Sequence, residues 1–117
     1  MTVQSRLYQF FGGSGKTLPE LEQTATPVIS PAYSVFTVTG TTAITGFSTS
    51  SQIMPGRNIV LIGTHATGPA FTDTAIASTA NGKIHLSAAL TLAAGTTVSF
   101  VQNSVGAWLE TARAANG

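Results

Sequence analysis

From residue 35 to residue 113 the chain is a series of short runs in which Val, Ile, Phe and Thr alternate, broken by Gly or Asn. A period of two sends successive side chains to opposite faces of a strand, and β-branched residues suit that pleated, half-buried setting. Residues 34–39 set Val35, Thr37 and Thr39 against Phe36 and Val38, Gly40 turns, and residues 42–47 continue as a second strand. Pro55-Gly56 then marks a turn before residues 57–63. The centre of that run, Ile59-Val60-Leu61-Ile62, is apolar at successive positions and predicts a strand buried from two sides, in a sandwich or at a subunit interface. Residues 70–78 alternate again, and Asn81-Gly82, both tolerant of positive φ, predicts a type I′ hairpin into a strand at 83–86. Further strands fall at 90–92, 96–102 and 107–112, with turns at Ala94-Gly95 and 103–106. The Ala- and Leu-rich residues 86–94 read as helix or strand. Turns spaced by about 8–12 residues predict an all-β fold, a single small β-sandwich or jelly-roll-like domain, with a short β-prism as the alternative.

The first 32 residues break this pattern. They hold Pro19, Pro27 and Pro31, the cluster Gly12, Gly13 and Gly15, and four of the nine charged residues. Pro27 and Pro31 remove backbone donors and push the preceding residues toward extended geometry. A short helical turn at 18–22 is compatible with Pro19 near its first position. The expected division is an extended N-terminal arm at 1–32 and a β domain at 33–117. Tyr8, Phe10 and Phe11, with Leu18 and Leu21, are apolar side chains on that arm and candidates to anchor it on a partner. Ile59, Leu61, Phe100 and Trp108 are the candidates for an interface between subunits.

Charge changes this picture more than any motif does. Lys, Arg, Asp and Glu make up 8% of the 117 residues, with a net charge of +1, whereas a small soluble domain carries about 25–35% charged residues on its surface. Much of this surface is therefore expected to be covered by other protein. Only five charged residues fall between 35 and 113. The single basic residues form no patch that would neutralise several phosphates, so no nucleic-acid partner is expected. No run approaches the about 20 apolar residues of a membrane span, and the first residues lack the apolar core of a signal peptide. Cysteine is absent, which removes disulfides and thiolate metal sites and fits assembly inside a cell.

Candidate chemistry is sparse. Gly12-Gly13-Ser14-Gly15-Lys16-Thr17 resembles the end of a phosphate-binding loop, but Phe10 occupies the position of its first glycine and Pro19 follows where a helix should open. It reads as a glycine hinge. His65 and His85 lack companions at metal-ligand spacing, and the version left open is a metal on a threefold axis with one histidine from each subunit. Asp73 and Glu110, the only acids of the β domain, would be the pair for hydrolysis or lyase chemistry. Trp108 reads as a core residue closing the last hairpin against Phe100, or as an interface anchor or sugar platform. No catalytic residue, cofactor or small-molecule substrate is expected.

The sequence Phe36-Thr37-Val38-Thr39-Gly40-Thr41-Thr42-Ala43-Ile44-Thr45-Gly46-Phe47, the turn Pro55-Gly56-Arg57 with Ile59-Val60-Leu61-Ile62, the element Leu90-Thr91-Leu92, and the close Gly95-Thr96-Thr97-Val98-Ser99-Phe100 with Trp108-Leu109-Glu110 resemble a β module of tailed-bacteriophage virion proteins. The usual close has Trp-Tyr, and Leu109 stands in the Tyr position, so no aromatic site is carried over. The resemblance implies a trimerising module of capsid decoration (cement), head-fibre or tail-fibre proteins. It implies a homotrimer on the outer surface of the virion, made in the host cytoplasm and bound to the major capsid protein. The short chain with an arm points to decoration. The alternative is a fibre or spike module that binds a receptor or glycan, with Trp108, Tyr33 and Phe71 as its candidate aromatics.

Overall fold

The computed structural model describes residues 18–48, 52–75 and 80–116. Its elements are strands β1 (Val35–Val38), β2 (Asn58–Gly63), β3 (Ala70–Phe71), β4 (Ile84–His85), β5 (Leu90–Thr91), β6 (Thr96–Gln102) and β7 (Trp108–Ala115), and no helix occurs among the described residues. The fold is all-β. Five strands form a mixed sheet in the order β1-β2-β6-β7-β4, and β3 pairs with β5 in a separate two-stranded sheet.

The mixed sheet holds the longer strands of the core in register. β2, β6 and β7 are antiparallel neighbours, whereas β1 joins β2, and β4 joins β7, in parallel. A jelly roll is built from antiparallel strands, so these two parallel pairs are a departure from the expected arrangement. Alternation is clean along the long strands. Ile59 and Leu61 in β2, Phe36 and Val38 in β1, and Val98 and Phe100 in β6 are all buried on the inner face. Trp108 continues that face at the start of β7. Phe47 packs edge-on against both Trp108 (centroids 5.6 Å apart) and Phe100 (6.0 Å), and Phe71 stacks on Phe100 at 6.2 Å. Leu90, Leu92, Ile44 and Ile84 complete the cluster.

Several turns follow from their residues. Arg57 N–H donates to the Met54 carbonyl at 3.0 Å with Gly56 at φ +85°, which is the geometry a Pro-Gly pair favours because glycine takes positive φ without steric cost. The Ala94-Gly95 turn closes in the same way, through Thr96 N–H to the Ala93 carbonyl at 3.0 Å. Gly68, at φ +66°, lies directly under the Leu92 carbonyl, where a Cβ would collide with backbone.

Several expectations are resolved or corrected. Residues 42–47 form no strand beyond a bridge between Ile44 and Phe71, because their amides go to different partners: Ile44 to Ala70, Thr45 to Ala25 and Phe47 to Gly82. The Asn81-Gly82 turn forms, with Lys83 N–H on the Ala80 carbonyl, but among the described residues no antiparallel ladder joins the segment before it to β4. β4 pairs with β7 instead, aligning Ile84 with Trp108 on the core side. Of residues 70–78 only Ala70–Phe71 is strand, and 76–79 lie outside the described residues. Residues 86–94 hold β5 and no helix. At 18–22 the chain is extended, with Glu20 bridging Thr37 in place of a helical turn.

The described part of the N-terminal stretch belongs to this domain. Leu21, Pro27 and Ile29 are among its buried side chains. Thr37 N–H donates to the Pro19 carbonyl and Leu21 N–H to that of Thr37, while Thr45 and Ser48 bond the carbonyls of Ala25 and Pro27. The prolines removed amides that a strand would have needed, but their carbonyls remained available as acceptors.

Candidate functional site

Several charged side chains of the domain hold its backbone. Arg57 leaves the turn before β2 and its Nη2 donates to the carbonyls of Ser30 (2.5 Å) and Tyr33 (2.6 Å), tying the segment ahead of β1 to β2. Partial burial lowers the Arg57 pKa from its ordinary value. Glu22 accepts from Val28 N–H at 2.7 Å and closes the loop between them. Asp73 accepts from Leu86 N–H at 2.8 Å, and Glu110 accepts from the next amide, Ser87 N–H, at 2.9 Å. The two acids therefore fasten consecutive residues of one loop.

Arg113 completes that fastening. It donates to both carboxylate oxygens of Glu110 (2.5 and 2.7 Å) and to the carbonyls of Ala88 and Ala89, each at 2.8 Å. The Arg113 hydrogen bond holds the Glu110 carboxyl below the usual carboxylate range; burial opposes this, and Ser87 adds to it. The same pair raises Arg113 further above its already high value. A carboxylate kept ionised in this way is a structural acceptor and a poor proton donor.

A β-bulge makes the pair possible. Phe100 aligns with Glu110 and Ser99 with Ala112, leaving Thr111 as the extra residue. Without that extra residue Glu110 and Arg113, three apart, would point to opposite faces. With it both lie on the core side of β7, and Leu109, Ala112 and Ala114 share the other side. Nothing in the alternation of the sequence marks this shift.

The histidines are also local fasteners. His65 Nδ1 accepts from the amides of Thr67 (3.1 Å) and Gly68 (3.4 Å), turning the loop after β2. His85 is buried with Nδ1 against the Thr74 carbonyl. No group of three or more His, Cys, Asp or Glu able to hold a metal occurs among the described residues. An open groove of about 410 Å³ runs beside β1, lined by Leu18, Glu20, Thr37, Thr39 and Thr64. Among the described residues of that lining, Glu20 is the one ionisable group.

The proposed interface residues sit elsewhere than expected. Ile59, Leu61 and Phe100 are 0% exposed and Trp108 is 1% exposed, all within the chain's own core; they face inward because alternation puts them on the side of β2, β6 and β7 that Phe47 and Phe71 cover. Leu21, expected as an anchor, is 3% exposed in the same core, and Leu18 lines the groove beside β1. Tyr8, Phe10 and Phe11, like the glycine cluster and Lys16-Thr17, lie outside the described residues. Of the candidate aromatics for a glycan, Trp108 and Phe71 are buried and Tyr33 is 41% exposed.

The opposite face of the mixed sheet was signalled by the sequence only at β2. Across the strands the aligned positions run Val35, Val60, Ser99, Ala112 in one row and Thr37, Ile62, Thr97, Ala114 in the next. Val101 and Leu109 extend it beyond Asn58. None of these side chains is charged, and each is partly or fully exposed. The apolar run at 59–62 did signal this second face. The chain matches no protein-family model, no curated protein and no solved structure.

Proposed function

We propose that this chain is a non-enzymatic structural protein of a tailed-bacteriophage virion, a decoration protein that trimerises and stabilises the head from its outer surface by binding the major capsid protein. In this reading the domain is a sandwich-like virion module. The observation that carries it is the fate of the charged groups. Of the five between residues 35 and 113, Arg57, Asp73, Glu110 and Arg113 bind backbone or each other. The few charged groups are thus held in place by the fold, and a surface with so few of them favours a protein covered by neighbours. The polar groups build a scaffold, and repetition of weak contacts over a symmetric shell would supply affinity by multivalency.

The test is co-sedimentation of the full chain with undecorated capsids of a tailed phage, with and without residues 2–16. Saturable binding that weakens at least tenfold on truncation is the expected result. Absence of binding by the full chain across capsids would defeat the reading, and unchanged binding after truncation would defeat the role of the arm.

The fibre-module reading has one observation in its favour. Tyr33, Ile53, Met54 and Val105 are exposed and lie on turns at the end of the sheet where β1 and β2 begin and β6 passes into β7. Exposed apolar side chains grouped at one end can form a recognition tip. Clear hits on a glycan array, lost in Tyr33→Ala, would favour this reading over decoration.

A further inference from the structure

Asn81-Gly82 is a pair open to ring closure between a side-chain amide and the main chain, because glycine brings no Cβ to shield its amide nitrogen. The fold builds this pair into a junction of three segments. Gly82 is buried, its N–H donates to the Gly106 carbonyl at 3.0 Å, and its own carbonyl accepts from Phe47 N–H at 2.7 Å. Lys83 N–H closes the turn on Ala80, and the Lys83 carbonyl accepts from Trp108 N–H at 2.8 Å where β4 begins to pair with β7. The Asn81 side chain is held as closely, since a Cβ on Gly106 would lie 2.6 Å from its Oδ1. A Cβ on Gly46 would meet the Gly82 carbonyl at 2.8 Å.

We propose that Asn81 is a latent deamidation site, sealed by the fold and exposed by unfolding, and that its isoaspartate product makes unfolding irreversible. In the open chain hydroxide removes the Gly82 amide proton and the nitrogen attacks Asn81 Cγ. The N–Cγ bond forms, the Cγ–Nδ2 bond breaks, and ammonia leaves after taking a proton back from water. Water then opens the five-membered imide at one carbonyl to give aspartate, or at the other to give isoaspartate. In the folded chain the Gly82 hydrogen lies against the Gly106 carbonyl and must leave it before base can reach it. Ring closure must also draw the Asn81 side chain away from Gly106. Local opening therefore controls the reaction.

Isoaspartate carries the main chain through one extra carbon, which adds about 1.5 Å between Ala80 and Gly82. The bonds of residues 80–83 to one another, to Phe47, to Gly106 and to Trp108 cannot all be kept across that insertion. Phe47 and Trp108 pack on each other in the core, so the damage reaches the centre of the domain. Aspartate at the same position leaves the main chain unaltered. A molecule held unfolded thus loses, with time, its ability to return. This is independent of what the chain assembles with.

The experiment incubates the full chain at mildly alkaline pH, folded in buffer and unfolded in guanidinium chloride. Residue 81 is followed by peptide mapping, because Asn116-Gly117 is a second such pair and changes mass in the same way. Conversion at position 81 is expected to be slower in the folded chain by about tenfold or more; a smaller ratio overturns the sealing. The Gly82 amide hydrogen of the folded chain should be protected from exchange, and exchange as fast as in an open peptide overturns it equally. Neither measurement needs a variant. Irreversibility is read by removing the denaturant and separating refolded from misfolded chains by size, with the near-UV signal of Trp108 as the mark of refolding. Isoaspartate at position 81 is expected to be depleted from the refolded fraction by about tenfold or more, and equal shares overturn the claim. Asn81→Asp should refold, and its failure would move the cause from the main chain to the added charge and overturn the isoaspartate argument. Asn81→Ser cannot react; if it loses refolding as fast as wild type during the same incubation, the proposal is overturned.

Discussion

Ile59 and Leu61 point into the chain's own core, while Val60 and Ile62, one residue along on the same strand, point to a face left partly open to solvent. The residue types are alike on the two sides. What differs is the company each keeps: Phe47, Phe71 and Trp108 close over the inner side, whereas the outer side meets threonine, serine and alanine from neighbouring strands. Apolar character in a strand therefore signals burial without saying by what. In β2 one half of the signal is used inside the domain, and the other half lies on a face only partly buried.

Substitutions on the two sides should separate these roles. Phe47→Ala removes the ring that bridges Trp108 and Phe100 and is expected to cost about 3–5 kcal/mol, read by denaturant unfolding; a loss below about 1 kcal/mol would mean the inner side is not the stabilising one. Leu21→Ala should cost about 2–4 kcal/mol, because Leu21 belongs to the same core. A near-neutral result would return residues 18–30 to the role of a separate arm.

The same change on opposite faces is a sharper comparison. Val98→Thr places a hydroxyl in the core and should destabilise by about 1–3 kcal/mol, whereas Val60→Thr, on the outer side, should stay within about 0.5 kcal/mol in the monomer. Equal effects would erase the distinction between the faces.

The smallest effect is expected at the loop clamp. Glu110→Gln should lose about 1 kcal/mol or less at neutral pH, since the pair with Arg113 is partly exposed to solvent. Because the folded carboxyl is depressed, its contribution is full above the ordinary carboxylate range and fades as pH falls below about 4. Unfolding measured against pH should show the gap between wild type and Glu110→Gln closing in that acid window.

Much of the strand pattern was legible. The segments at β1, β2, β6 and β7 follow from alternation, and the Pro55-Gly56 and Ala94-Gly95 turns from glycine's tolerance of positive φ. The extent of β3, the failure of residues 42–47 to form a ladder, and the parallel pairing of β4 with β7 were not legible, because pairing partners are chosen by contacts distant in sequence. Trp108 as a core residue was readable from its chemistry; its place beside Phe47, far earlier in the chain, was not. The arm was read from its prolines as lying outside the domain. Proline forbids a helix and a continuous ladder, yet it leaves carbonyls and apolar rings that a neighbouring strand can use.

By itself the sequence determined that this protein is all-β, poor in charge, and built around strands of alternating β-branched residues, since local periodicity and composition dictate those properties. Only the tertiary structure decided which side of each strand is core and which acids and arginines are occupied as clamps. It also set, through one extra residue in β7, that Arg113 shares the side of the strand that carries Glu110 while Ala112 and Ala114 take the other. The reason is physical: a strand presents two faces with equal propensity, and only packing against residues far along the chain makes one of them the inside.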